Sequence, residues 1–136
     1  MKNHNFITLF LFIYISINLV FAQTETVLNE TENYIFAYFK NNGKDGLHLA
    51  GSTDGLTWRA FKNDSSFLTP TVSKDKLMRD PCIRKGFDGK FHMVWTVSWT
   101  DKGIGYAGSD DLVHWSEQQY SPVMAKEDSA RNCWAP

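Results

Sequence analysis

Cysteine is scarce: only Cys82 and Cys133 occur in 136 residues, so a disulfide framework cannot carry the fold and a packed core has to. A single bridge between them is chemically open in an exported chain, but two half-buried, unbridged residues in strands are the expectation. Charge of one sign is missing too. The formal net charge is −1, and the Lys and Arg residues are scattered. This argues against nucleic acid as a partner, because phosphate binding needs a concentrated basic face. His48, His92 and His114 lack the spacing that puts two imidazoles on one helical face around a metal. Beyond the first residues no stretch longer than a turn has helical periodicity.

The N-terminus is different. Lys2 gives a short basic start, residues 6–21 are almost unbroken apolar sequence, and Val20-Phe21-Ala22 places Val and Ala at the third and first positions before a cut. This pattern predicts a signal peptide over residues 1–22 and an exported domain over 23–136, with no stable membrane insertion after cleavage. The apolar run over residues 6–21 is short for a spanning helix and no basic stop-transfer cluster follows it, which weighs against the alternative of an N-terminal membrane anchor. What remains suffices for one small domain. Asn29-Glu30-Thr31 and Asn63-Asp64-Ser65 fit the glycosylation pattern, which matters only in a eukaryotic secretory pathway. Aromatic residues make up 15% of the chain, and that composition permits a carbohydrate ligand, since ring faces stack on sugars as readily as they fill cores.

The chain repeats itself. Residues 34–58 and 91–115 overlay without a gap at a displacement of 91 − 34 = 57. They share Gly46/Gly103, Ala50/Ala107, Gly51/Gly108, Ser52/Ser109, Asp54/Asp111 and Trp58/Trp115. A period of this size, built from short strands punctuated by Gly and Asp, is what a propeller blade looks like in sequence. Strands are expected at 34–39, 47–50 and 57–61, and again at 91–97, 104–107 and 114–118. The Ser-x-Asp segments between them make tight turns, since Ser and Asp side chains bond backbone N–H groups nearby. They resemble the Asp-box of sialidase-type propellers with one residue fewer before the Trp. Asp54, Asp111, Trp58 and Trp115 are therefore expected to serve the fold.

A four-stranded blade needs one more strand. Arg79-Asp80-Pro81-Cys82-Ile83 supplies it for the second copy, through the turn Phe87-Asp88-Gly89-Lys90. Asn132-Cys133-Trp134-Ala135-Pro136 reads as the next such strand, whereas residues 24–33, before the first copy, are polar and match neither. The expected fold is thus all-β: a partial β-propeller of about two four-stranded antiparallel blades, with a third interrupted. Two blades cannot close a ring, so the chain is expected to be a fragment.

Asp80 is the leading candidate for chemistry. Pro81 is expected to hold its backbone extended, and it opens the inferred innermost strand, where a carboxylate can serve as general base toward water. The alternative is an Asp that merely ends a loop before Pro. Trp99 and Trp134 are candidates for stacking a sugar ring, or for the core. Arg79 can lower the Asp80 pKa only if both side chains point the same way, which neighbours on a strand usually do not. His92 reads as a structural histidine that could reach the channel.

Taken together, Lys76-Leu77-Met78-Arg79-Asp80-Pro81-Cys82-Ile83, Phe91-His92-Met93-Val94-Trp95-Thr96, Gly103-Ile104-Gly105-Tyr106-Ala107 with Ser109 to Trp115, and Asn132-Cys133-Trp134-Ala135-Pro136 resemble glycoside hydrolase family 43. The resemblance implies an N-terminal fragment of a five-bladed propeller that cleaves glycosidic bonds of plant-type or similar oligo- and polysaccharides with inversion. Asp80 would be the base, with Trp99, Trp134 and Arg79 toward the sugar. No cofactor would be required, though the resemblance allows a structural calcium ion in the channel. It also places the second acid just past Pro136 and the general acid a blade later. Inversion needs carboxyl groups about 6.5–9.5 Å apart across the bond, so this polypeptide alone is expected not to hydrolyse glycosides. The fructan-cleaving families share Arg-Asp-Pro but carry an upstream Asn-Asp-Pro, of which residues 23–39 hold none. A non-catalytic carbohydrate-binding propeller is the alternative reading, and arabinose, xylose and galactose linkages all stay open.

Overall fold

The computed structural model describes residues 34–136. The expected signal peptide, residues 24–33 and Asn29 lie outside the described residues. Seven strands form two antiparallel sheets. In the first, β1 (Tyr34–Tyr38), β2 (His48–Ser52) and β3 (Arg59–Ala60) lie in sequence order. In the second, β4 (Arg79–Lys85), β5 (Phe91–Thr96), β6 (Ile104–Ser109) and β7 (Gln119–Ser121) do the same. This all-β meander is consistent with a partial propeller. Among the described residues, no helix is long and apolar enough to cross a membrane.

The sequence repeat is a repeat of register. Phe36 faces Ala50 in the first sheet, and Met93 faces Ala107 in the second, so each pair maps onto the other at the same displacement of 57. The turns that follow are built alike. Ser52 Oγ accepts from the Gly55 N–H at 2.8 Å, while Asp54 Oδ1 takes the N–H groups of Leu56 and Thr57, each at 2.8 Å. Ser109 Oγ likewise accepts from Leu112, and Asp111 Oδ1 from Val113 and His114. Trp115 packs against the core, with its Nε1 donating to the Leu112 carbonyl. Asp54, Asp111 and Trp115 are accordingly turn and packing residues.

One hydrophobic cluster serves both sheets. Leu49 and Ala37 from the first meet Met93, Trp95 and Ala107 from the second, with Leu47, Phe61, Met78, Val97 and Leu112 closing around them. Each large side chain buried this way is worth about 1.5–3 kcal/mol relative to exposure. The Trp95 indole occupies the space beside Gly105, and a Cβ there would clash with its ring atoms. Gly46 has φ +97°, and the Leu68 carbonyl occupies the space a side chain would need.

Three expectations are corrected. The outer strand of the second sheet is not 114–118 but Gln119–Ser121; Asp111 holds the His114 N–H, and Trp115 keeps only an isolated bridge to Ser109. No strand forms over 132–136. Backbone N–H groups there go elsewhere, Cys133 to the Asp101 carbonyl at 2.9 Å and Ala135 to Thr96 Oγ1 at 2.8 Å. Both cysteines are free, as expected, but Cys82 is exposed, and Cys133 lies outside any strand.

Candidate active site

Asp80 stands where β4 departs from regular pairing. Arg79 is opposite Thr96 and Cys82 opposite Val94, so one extra residue bulges out of β4 between them. Asp80 takes φ +50° in that bulge, not the extended backbone expected before Pro81. Left-handed φ is uncommon for a residue with a side chain, though Asp tolerates it better than most. Bulges of this kind re-aim a side chain. Here the carboxylate turns toward β5, and Thr96 Oγ1 donates to Asp80 Oδ2 at a long 3.4 Å. The same Oγ1 accepts the Ala135 N–H, so Thr96 joins Asp80 to the segment that carries Trp134.

Arg79 points elsewhere. Its guanidinium carbon lies 3.9 Å from the Trp99 ring centroid and 5.4 Å from that of Phe39. Its Nη1 donates to Asn42 Oδ1 at 2.8 Å, and no ion pair to it forms among the described residues. Trp134 meets Trp99 edge to face at 5.4 Å and donates its Nε1 to the Trp99 carbonyl at 3.2 Å. Both indoles stay open to solvent, Trp99 at 43% and Trp134 at 50%. All four predicted residues, Arg79, Asp80, Trp99 and Trp134, thus belong to one connected group. Thr96, Asn42 and Phe39 complete it, and sequence reasoning missed these three. The hairpin register was the available signal for Thr96, since a strand starting at Arg79 and returning from Phe91 brings Thr96 beside it.

Asn42 is contributed by the first sheet. It sits in the 3₁₀ turn Asn41–Gly43 at φ 60°, which is docked on β4 by the Met78 N–H bonding the Gly43 carbonyl at 2.8 Å. Asn41 Nδ2 donates to Asp45 Oδ2 at 3.0 Å. Behind the turn, buried His48 has its ring nitrogens 3.2 Å from Asp45 and 3.2 Å from Asp64, outside good hydrogen-bond geometry. Asp64 also accepts from Tyr38 Oη at 2.6 Å and Lys40 Nζ at 2.8 Å. Lys40 and Tyr38 hold its carboxyl down at about 2. Burial, then the Asp64 carboxylate, pushes the Tyr38 phenol up to about 12. The turn that positions Arg79 is therefore anchored by a polar network of its own.

The remaining candidates fall away from this group. His92 bonds Asp88 at 3.1 Å and Tyr106 Oη at 2.8 Å, a satisfied structural histidine. Among the described residues, no group of three or more His, Cys, Asp or Glu side chains is placed to hold a metal ion. Among the described residues the Asp80 carboxylate is given one hydrogen-bond donor, the Thr96 hydroxyl. The arrangement is a solvent-accessible carboxylate with one weak hydrogen bond, bordered by two exposed indoles and a stacked guanidinium.

An all-β meander of two antiparallel sheets, with Asp80, Trp99, Trp134 and Arg79 drawn into one group, is consistent with the class of carbohydrate-active proteins. The sequence agrees: residues 29–136 match the model of a family described as a probable glycosyl hydrolase domain, a relative of family 43. The chain belongs to that family. No curated protein and no solved structure matches it.

Proposed function

We propose that this protein is an exported glycoside hydrolase of family 43 type, acting with inversion on oligo- or polysaccharides of plant type. Asp80 is its general base. The observation that carries this reading is the linkage of Asp80, through Thr96 and Ala135, to the Trp134–Trp99–Arg79 array. A carboxylate that accepts only one long hydrogen bond keeps lone pairs for a water molecule, which it can orient and deprotonate against an anomeric carbon. Exposed indoles edge to face present one ring to a sugar's C–H face. The guanidinium stacked on Trp99 offers N–H donors to ring hydroxyls.

Inversion requires a second carboxyl group as acid, about 6.5–9.5 Å away. On this reading the 136-residue polypeptide binds sugar without turning it over, since among the described residues no other carboxylate hydrogen-bonds within the group. The test is titration with xylo- and arabino-oligosaccharides, read by tryptophan fluorescence, alongside a reducing-sugar assay. Binding should fall about tenfold or more in Trp99→Ala, as removal of a stacking anchor typically costs, and survive in Asp80→Asn. In any longer form that hydrolyses, Asp80→Asn should cut kcat by about 10²–10⁴ and leave binding intact. Full activity in Asp80→Asn would remove Asp80 as base. Binding with no turnover in any form would favour the non-catalytic carbohydrate-binding propeller.

A further inference from the structure

The Trp99 indole stands on a turn whose shape is set from outside its own strand. β5 ends at Thr96, and the next two residues are buried almost completely, Val97 at 0% and Ser98 at 1% exposure. The segment ahead of β4 runs alongside them as a strap. Ser73 Oγ and the Leu77 N–H both donate to the Val97 carbonyl, at 2.8 and 3.1 Å. Between these two contacts the Asp75 carboxylate accepts a hydrogen bond from the Ser98 hydroxyl. Ser98 Oγ in turn accepts the Thr100 N–H at 3.1 Å. A hydroxyl has one proton to donate, so its commitment to Asp75 leaves the oxygen lone pairs for Thr100, and the backbone is held on both sides of Trp99.

Ser73 and Lys76, on either side of Asp75, take φ +70° and +48°, a left-handed backbone that residues with side chains adopt at a cost. Strain of this kind persists where surrounding contacts over-determine the chain, and it clusters at functional segments. Nor does the device belong to the repeated scaffold. The turn residues Ser109 and Asp111 recur as Ser52 and Asp54, whereas the position 57 residues before Ser98 is Asn41. The strap runs on through Met78 into Arg79 and Asp80. The Asp75–Ser98 bond therefore ties the chain that carries Arg79 and Asp80 to the turn that carries Trp99, whose ring lies 3.9 Å from the Arg79 guanidinium carbon and whose carbonyl accepts from Trp134. We infer that Asp75 is a positioning residue: through Ser98 it fixes the Trp99–Trp134 pair where that pair meets a sugar, without touching the sugar itself. The ligand rests on the sugar reading, but the placement of the indole pair can be followed with no sugar present.

Circular dichroism reads that placement. The strong ultraviolet transitions of two indoles 5.4 Å apart and edge to face couple into a pair of bands of opposite sign, which should be present in the 136-residue chain and vanish in Trp134→Phe. Asp75→Ala and Ser98→Ala should each abolish most of the band pair, and Ser98→Ala stands in should Asp75→Ala fail to fold. Both should weaken binding of xylo- or arabino-oligosaccharides, followed by tryptophan fluorescence, by about three- to tenfold, short of what removal of the Trp99 ring costs. The double variant should do no more than either single one, since both break the same bond. Asp75→Asn keeps an acceptor for the Ser98 hydroxyl, though a neutral one of roughly half the strength, and should stay close to wild type in both readouts. Lys74→Ala, an exposed neighbour in the strap, should change neither. Phe61→Leu, in the core but outside the indole group, should lower the thermal midpoint and leave the band pair as it is, so lost stability alone does not imitate the effect. A band pair and binding unmoved by Asp75→Ala and Ser98→Ala overturn the positioning role, as does Asp75→Asn as damaging as Asp75→Ala; the sugar reading survives either result. A lost band pair with unchanged binding also overturns it, confining Asp75 to the fold. If the wild type binds neither oligosaccharide while the band pair still follows Asp75, the sugar reading falls and the tie from Asp75 to the indole pair holds.

Discussion

Asp54 and Asp111 show how a side chain can be indispensable without touching a ligand. Two backbone N–H groups and a serine hydroxyl converge on Asp54, and these hydrogen bonds lower its pKa from the ordinary 3.8 to about 2. The His114 side chain, then backbone N–H groups, hold Asp111 below the usual carboxylate range as well. A carboxyl whose folded pKa is depressed stabilises the fold above its unfolded pKa, and loses that contribution as pH falls through the folded value. For Asp54 the window is from 3.8 down to about 2. Asn at this position keeps an acceptor but not the charge. The thermal midpoint of Asp54→Asn should therefore lie below wild type at neutral pH and converge with it near pH 2. A gap that persists there would mean the turn depends on something other than the charge. At Asp80 the lesson is different. Arg79-Asp80-Pro81 is visible in the sequence, but the bulge that gives Asp80 φ +50° is not. It arises from how β4 and β5 fall out of step, which a proline rule on one strand does not contain. Asn42 was invisible for a similar reason, being 37 residues from the arginine it holds.

Among the elements, the inner and middle strands were legible because they alternate and because Gly and Asp end them cleanly. β1, β2, β5 and β6 lie within or close to their expected bounds. The outer strands were not. Once Asp111 commits the His114 N–H to the turn, the chain keeps an isolated bridge at Trp115 and forms a paired strand again at β7, after a shift, and composition gives no sign of that. The same applies to 132–136, whose strand-like Trp-Ala-Pro sequence finds side-chain and loop acceptors instead. β6 offers a sharp test of packing at this level. Gly105 and Gly108 sit three residues apart, but the Trp95 ring fills the space over Gly105, while a Cβ at Gly108 would meet ordinary contacts at 3.5 Å. Gly105→Ala should destabilise by about 1–3 kcal/mol through overpacking. Gly108→Ala should be near neutral. Denaturant midpoints at unchanged m-value decide it, and equal effects at the two positions would show that Trp95 yields easily.

Because one core serves both sheets, the molecule should unfold as one. Leu49 is 1% exposed and reaches from β2 into the cluster formed by Met93 and Trp95. Asn42 and Gly43, from the first sheet's turn, hold Arg79 and Met78 of the second. The candidate site consequently spans the junction, and its geometry depends on the sheets staying docked. Leu49→Ala removes buried apolar volume that cannot collapse readily against a flat indole, and should cost about 2–5 kcal/mol. If the sheets form one cooperative unit, amide exchange should accelerate by the same factor in β1–β2 as in β4–β6, since both would exchange through the same global opening. If only β1–β2 speeds up, the first sheet opens by itself. Arg79 would then lose Asn42 in that opening, and the sugar binding proposed at Trp99 and Trp134 should weaken along with it. The sheet interior and the proposed sugar site are thus read by one substitution placed in neither Asp80 nor its neighbours.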